Sequence, residues 1–407
     1  MTRNTDVVVV GGGATGAGVA RDLALRGVDV TLVERGGLSS GTSGRSHGLL
    51  HSGARYAEAD EVGARECIEE NRILRDVAGE CVRDTGGLFV QLPDDDPDYF
   101  EAKRAACEEI GIPVETLSPE EAREAAPGLS EDVVRAMEVP DAVVYPSRLV
   151  AANAADARAN GATILTDAPV EDLRVEDGEV VGVDVGGAVD EEIRAERVVN
   201  AAGAWAGELA AMAGVDVEMR PTRGVMVSVE HEGLGPVLNR TRDPDDGDIV
   251  VPHDGEVVLG TTSVEVDDPD DYETAEWEVE QSRAECATML PAVRDASEVR
   301  TWWGVRPLYA PDEDSRDGAR GISRGFFVLD HAEEGVENFT SVVGGKLTTY
   351  RQMAEATADR VCESLGVEAD CRTAEEQLPG ADDPETLDSL VAEFGGAGPT
   401  DEDVVRQ

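Results

Sequence analysis

The sequence predicts a mixed α/β (α+β) fold in which a βαβ domain is interleaved with a second domain built on an antiparallel sheet. Three observations carry that prediction. Residues 6–10 form an unbroken apolar run, as in a parallel strand covered on both faces. A glycine-rich turn at 11–16, helical spacing over 14–26 and a second apolar run at 28–33 complete a strand, turn, helix and strand within about thirty residues. From residue 219 onward, short β-rich runs at 219–229, 249–252 and 257–261 follow one another as in an antiparallel sheet.

The remaining elements follow in order. Residues 36–51 are rich in Gly and Ser and read as a loop. Helical spacing covers 64–81 and 97–111, with a strand at 85–92 between them. Ser118 and Pro119 open a helix as N-cap and first-turn residue. Residues 145–160 read as helix, and 162–166, 170–175, 180–185 and 198–202 as strands. A helix at 276–289 and strands at 301–308, 325–330 and 339–343 precede a last helix at 346–365. The expected division is 1–80, 145–215 and 300–368 for the first domain, and 81–144 and 216–299 for the second. Residues 369–407 are acidic and poor in aromatics, and read as a linker that opens a further module.

The charge is the most unusual feature of the composition. There are 86 acidic and 35 cationic residues, a formal net charge of −51. Only Lys103 and Lys346 are lysines; every other cation is arginine. Such a charge repels itself strongly in dilute salt. In molar salt the Debye length shrinks to about 3 Å and the repulsion is screened. The composition therefore reads as that of a protein from a salt-rich cytoplasm. It excludes nucleic-acid binding, since no basic stripe exists. No apolar run reaches the roughly 18 residues of a membrane span, and the N-terminus does not read as a signal peptide. No cysteine pair has the two-residue spacing of a zinc or redox motif.

Gly11, Gly13 and Gly16 form G-x-G-x-x-G between the first strand and its helix. In such a turn the first glycine permits the bend, the second lets the backbone approach a pyrophosphate, and the third lets helix and strand pack closely. Ala14 and Thr15 lie at the helix start, where amides and dipole favour an anion. Glu34 ends the second strand, with Arg35 after it, and can accept both hydroxyls of an adenosine ribose. A Rossmann-like dinucleotide site follows. The regular repeat of a nicotinamide domain is missing downstream. In its place, Ser39 to Ser46 offer hydroxyls and amides to a pyrophosphate and a flavin edge, Thr42, Ser43 and Ser46 among them. The strand at 198–202 ends in Ala202 and Gly203, small enough for close cofactor approach. These features favour FAD over a nicotinamide.

Four ordered motifs then carry a family resemblance. They are Gly11 to Gly18; His47-Gly48-Leu49-Leu50-His51-Ser52-Gly53-Ala54-Arg55-Tyr56; Gly304-Val305-Arg306-Pro307-Leu308; and Gly344-Gly345-Lys346-Leu347-Thr348-Thr349-Tyr350-Arg351. Together they resemble the FAD-dependent glycerol-3-phosphate dehydrogenases of the D-amino-acid-oxidase-like superfamily, and most closely the first flavoprotein subunit of the anaerobic enzyme. The resemblance spans residues 6–366. It implies non-covalent FAD and oxidation of sn-glycerol 3-phosphate to dihydroxyacetone phosphate, with electrons passed to a quinone pool. It also implies a place at the inner face of the cell membrane and a further cysteine-bearing C-terminal domain. The implied partners are a second flavoprotein subunit plus an iron–sulfur anchor subunit.

Carried onto this chain, the motifs imply a phosphate clamp of Arg55, Arg306 and Arg324, with Tyr56 as a hydroxyl donor. Arginine suits the task because its planar fork meets phosphate in a bidentate way. His51 is the expected proton acceptor and His331 the runner-up. Lys346, with Gly345, Leu347 and Thr348, is expected at a helix start against the flavin, and Lys346 and Arg306 are also expected to act in catalysis. Gly48, Leu49 and Val170 complete the expected cofactor contacts. The bland alternatives are a surface salt bridge for Arg324, a loop histidine for His51, and helix caps for Thr348 and Thr349. Rival functions are an amine or amino-acid oxidase of the same fold, which needs no phosphate clamp, and a non-catalytic flavin-binding subunit.

The charge generates a first prediction. The thermal unfolding midpoint, followed by circular dichroism, should fall steadily as potassium chloride is lowered from molar concentration toward 0.1 M, where the Debye length grows to about 10 Å. A midpoint independent of salt would refute the salt-rich reading.

Overall fold

The computed structural model describes residues 2–310 and 325–395. The first strand, Thr2–Val10, forms the centre of an eight-stranded sheet. It pairs in parallel with Val30–Val33 on one side and Glu191–Asn200 on the other, with Val8 opposite both Thr31 and Val198. Successive side chains alternate between faces. Val7 and Val9 join one core with the helices Ala14–Leu25, Pro146–Ala159 and Tyr350–Leu365. Val8 and Val10 join another core with the antiparallel strands Val170–Glu176 and Glu179–Val185 and the helix Ala206–Met212. All four valines are buried. At about 1.5–3 kcal/mol for each fully buried side chain, this short run anchors both layers.

The second domain holds a nine-stranded sheet. Thr222–Glu230, Glu256–Gly260 and Ile249–His253 pair antiparallel in its middle. Val237–Arg240 then joins Gly87–Gln91 in parallel, so segments far apart in sequence share one sheet. A small third sheet pairs Leu49–Leu50 and Val82–Arg83 with Ala142–Val144 at the junction of the two larger ones.

Three expectations change. The strand expected at 301–308 spans Glu298–Arg306 and pairs with Thr222–Glu230 from Glu298 to Arg306. Residues 300–306 therefore extend the second domain's sheet rather than opening the last piece of the first. Part of the stretch expected as an acidic linker, up to residue 395, packs down. Asp383 caps the helix Pro384–Phe394, which buries Leu387 and Phe394 in the core of the first domain. Its acids face the arginines of the helix Pro146–Ala159: Arg148 pairs with Asp388 and Arg158 with Glu393, both at 2.7 Å. Acidity there reflects pairing along one face and not detachment. The last expected helix starts later than 346, because a 3-10 turn at Leu347–Thr349 precedes Tyr350–Leu365. No described helix is long and apolar enough to cross a membrane.

A buried ion pair ties the helix Glu61–Val77 to the helix Tyr350–Leu365. Arg351 meets Glu70 at 2.6 Å, and both are almost wholly buried. Removing one partner of such a pair leaves an uncompensated charge and costs about 3–5 kcal/mol. Arg351→Met should lower unfolding stability by that order in urea titrations at molar salt. Arg351→Met/Glu70→Leu should recover most of the loss. Equal losses in the single and double variants would show that the charge pair is not the cause.

Candidate active site

The glycine turn is set by close packing. Gly11 has φ +115°, and a Cβ there would lie 2.4 Å from the carbonyl oxygen of Ala201. A Cβ on Gly16 would lie 1.9 Å from the carbonyl oxygen of Gly11. Gly13 differs: its nearest neighbour would be Ser43 Oγ at 3.2 Å, and the residue faces a cavity. It is the N-cap of the helix Ala14–Leu25 and brings no capping side chain. The helix start is thus bare on its cavity side, with Ala14 N–H held by Ser43 Oγ at 3.0 Å and Thr15 beside it in the wall.

The same cavity runs past Glu34 and Arg35. The Glu34 carboxylate accepts from Gly12 N at 2.6 Å and from Gly36 N at 2.9 Å. Oε1 also accepts from Ser40 Oγ at 3.4 Å, while Oε2, with Gly12 N, keeps a further lone pair for a hydroxyl. Arg35 lies over the Trp205 ring at 4.1 Å and pairs with Asp270 at 2.7 Å. Val170, Leu209 and Met212 add apolar surface beside Trp205. Thr42, Ser43 and Ser46 line the cavity, yet their hydroxyls also brace the loop. Thr42 donates to Val305 O at 2.7 Å, and Ser46 Oγ accepts from Gly48 N at 3.3 Å. Ala202 and Gly203 lie on the wall as well.

Another part of the wall contains Leu49, His51, Arg306, Gly345, Lys346 and Leu347. Gly344 and Gly345 both have φ +77°, a left-handed pair that turns the strand Phe339–Gly344 into the helical segment beyond. Lys346 is buried, with Nζ 4.7 Å from the centre of the Tyr56 ring. His51 Nε2 lies 3.5 Å from Tyr56 Oη. Arg306 Nη2 donates to Thr261 Oγ1 and to Thr262 O, each at 3.0 Å.

Several expected residues stand behind this wall. Gly16 and Gly48 pack backbone against backbone; a Cβ on Gly48 would lie 2.7 Å from Val144 O. Thr348 is buried and accepts from His51 N at 3.1 Å. Arg55 turns away from the cavity, 3.6 Å from the fully buried Asp248 carboxylate and 3.5 Å from Asn239 Oδ1. Of the three expected clamp arginines, Arg306 alone is placed on the wall, and Arg324 lies outside the described residues. His331 does not face the cavity. It is buried, with Glu334 at 2.6 Å from Nδ1 and Ser341 Oγ at 2.8 Å from Nε2. Sequence reasoning passed over Asp141, a buried carboxylate that accepts from Ser52 N at 2.7 Å; burial raises its pKa. No local motif marks that residue, because its partner is 89 positions away.

Residues 6–351 match the sequence pattern of the family described as FAD dependent oxidoreductase. The chain belongs to that family. Like its other members, this oxidoreductase uses FAD. Its cavity fits the cofactor: a helix start left bare by Gly13, a fixed carboxylate at Glu34, and left-handed glycines opening the far helical turn. Among relatives, the oxidoreductase is 52% identical over 413 residues to an anaerobic glycerol-3-phosphate dehydrogenase subunit of Haloferax volcanii, covering 98% of this chain and 70% of that one. It is 44% identical over 389 residues to the corresponding anaerobic glycerol-3-phosphate dehydrogenase subunit of Escherichia coli, covering 94% and 71%. Among solved structures, it superposes on the glycerol-3-phosphate dehydrogenase from Bacillus halodurans complexed with FAD, with a TM-score of 0.70 and 25% identity over 96% of this chain and 71% of that one.

His253 backs the motif loop, its Cε1 3.8 Å from where a Gly48 Cβ would stand. Burial, and next the nearby Arg83 cation, push its pKa down to about 3. The unfolded chain takes up this proton below about pH 6.5 and the folded form does not, so folding loses stability as pH falls. The loss attributable to His253 at pH 5 is roughly 2 kcal/mol. The stability gap between the wild type and His253→Gln should therefore narrow by about that amount from pH 8 to pH 5 in urea titrations. An unchanged gap would refute the assignment.

Proposed function

We propose that this oxidoreductase converts sn-glycerol 3-phosphate to dihydroxyacetone phosphate and delivers the electrons to a quinone. The observation that carries the reading is that Arg306, Lys346 and His51 all line one cavity of a chain with net charge −51. Arg306 and Lys346 suit a dianionic phosphate, and the His51 imidazole in the same lining suits removal of a hydroxyl proton. The names of the relatives at 44% to 52% identity agree with it.

Each stretch of the wall has its own task. The turn at Gly11, Gly13, Ala14, Thr15 and Gly16 holds the cofactor pyrophosphate through backbone amides. Glu34 takes the ribose hydroxyls, and Arg35, Val170 and Trp205 enclose the adenine side. Thr42, Ser43, Ser46, Gly48, Leu49, Ala202 and Gly203 shape the stretch between. The helical turn at Gly345, Lys346, Leu347 and Thr348 favours negative charge on the isoalloxazine. Bound FAD supplies the acceptor for the hydride leaving the substrate's secondary carbon. His51 takes the hydroxyl proton, and Tyr56, 3.5 Å from its Nε2, orients the ring. Arg306 engages the substrate phosphate. Arg55 contributes if its guanidinium leaves Asp248; the expected third arginine, Arg324, lies outside the described residues.

Both of these relatives are named as one subunit of an enzyme, which supports a complex. The partners in this reading are a second flavoprotein subunit plus an iron–sulfur subunit. The latter holds the oxidoreductase at the inner face of the cell membrane.

The test is anaerobic. Glycerol 3-phosphate added to the FAD-loaded protein in molar potassium chloride should bleach the flavin absorbance. Arg306→Ala should keep its FAD but raise KM roughly ten- to hundredfold, the equivalent of one charge-assisted contact of about 1.5–3 kcal/mol. A flavin left oxidised by glycerol 3-phosphate but bleached by an amino acid would overturn the proposal in favour of the oxidase alternative.

A further inference from the structure

The two lysines of the chain meet the same loop, residues 51–60. Lys346 approaches from the cavity side, its Nζ 4.7 Å from the centre of the Tyr56 ring. It also borders the start of the helix Glu61–Val77, where a Cβ on Gly63 would lie 3.0 Å from Nζ. Lys103 approaches from the other side, on the helix Pro97–Ile110 of the second domain. It is 1% exposed. Its Nζ donates to Ala54 O at 3.0 Å and to the two carboxylate oxygens of Glu58 at 2.7 and 2.6 Å. Tyr99 donates to Glu58 as well.

A buried ammonium is costly unless it is paired and its donors are satisfied. Here three donors meet three acceptors. The acceptors converge on one point, a geometry that a compact ammonium matches and the planar fork of arginine does not. The buried pair between the helices, Arg351 with Glu70, uses arginine. A compositional habit therefore does not account for lysine at position 103.

The acceptors also bracket the functional stretch of the loop. Ala54 immediately precedes Arg55, and Glu58 follows Tyr56 by two residues. At one end of the loop Ser52 N is fixed by Asp141 at 2.7 Å; at the other, Asp60 caps the next helix through Gly63 N at 2.9 Å. Lys103 fastens the part between them to the second domain, without lining the cavity itself.

We infer that Lys103 is a positioning residue for the substrate side of the site, holding loop 51–60 so that His51 keeps its place on the cavity and Tyr56 its place against His51 and Lys346. This rests on the proposed function, in which His51 takes the substrate's hydroxyl proton and Tyr56 orients its ring. A misplacement of about 1 Å at such a site can cost on the order of a hundredfold in rate.

The test uses the full chain, loaded with FAD in molar potassium chloride, at a temperature well below unfolding. Lys103→Met should retain FAD and its visible spectrum, while KM for glycerol 3-phosphate rises at least roughly tenfold and kcat falls by a smaller factor. A purely structural lysine would lower the unfolding midpoint and leave KM of the folded enzyme unchanged; that result would overturn the inference. If the unpaired Glu58 prevents Lys103→Met from folding, Lys103→Met/Glu58→Gln, which removes both charges, is judged by the same KM criterion. A wild-type flavin that glycerol 3-phosphate fails to reduce would overturn the proposed function and this inference together. A wild-type flavin that is reduced, with an unaltered KM in the variant, would overturn this inference alone.

Discussion

At Gly16 the first helix passes so near the end of the first strand that a Cβ would lie 1.9 Å from Gly11 O. At Gly11 the turn passes as closely to Ala201, at the end of the neighbouring strand. These two contacts set the height of the helix Ala14–Leu25 above the sheet. They thereby place its bare N-terminus, beside Gly13, over the strand ends where the cavity opens. A side chain at either position would push the helix away and carry Ala14, Thr15 and the Ser43 contact with it. The shape of this end of the cavity follows from backbone approach before any side chain contributes.

The opposite wall depends on a different kind of constraint. Loop 51–60 belongs to the first domain by sequence but is held largely by the second. Asp141, Lys103 and Asn239 reach it from that side. Lys103 is buried against Glu58, and the buried Asp141 carboxylate accepts from Ser52 N and Asn239 Nδ2, a costly arrangement that persists only when geometry satisfies every partner. The polar network therefore defines where His51, Arg55 and Tyr56 stand. The exposed acids of the surface answer to solvent salt instead, since pairs open to water are weak and screened. One chain thus uses charge in two ways, for solvation outside and for position inside.

The first domain was largely legible from local pattern. The apolar run at 6–10, the glycine turn and the strand-ending Glu34 are neighbours in sequence, and their chemistry depends on neighbours. The helices at 97–111, 145–160 and 276–289 likewise match Pro97–Ile110, Pro146–Ala159 and Glu276–Met289, because capping and apolar spacing are local signals. The second sheet was less legible. Its parallel joint between Val237–Arg240 and Gly87–Gln91 links residues about 150 apart, and no short window contains both. The helix Pro384–Phe394 within the acidic stretch was illegible for the same reason: the arginines that pair with its acids lie on the distant helix Pro146–Ala159.

Within the site, residue types and motif order were properties of the sequence, and so was the preference for FAD, since spacing along the backbone governs turns, helix starts and strand ends. Which cation reaches the cavity was not. Arg306 lines it while Arg55 turns to Asp248; His51 faces it while His331 is buried against Ser341. Lys103 looked unremarkable in its helix until folding brought Ala54 and Glu58 to its ammonium. Those outcomes belong to tertiary structure because the direction of a long side chain is decided by buried partners, and these partners come from segments distant in the chain.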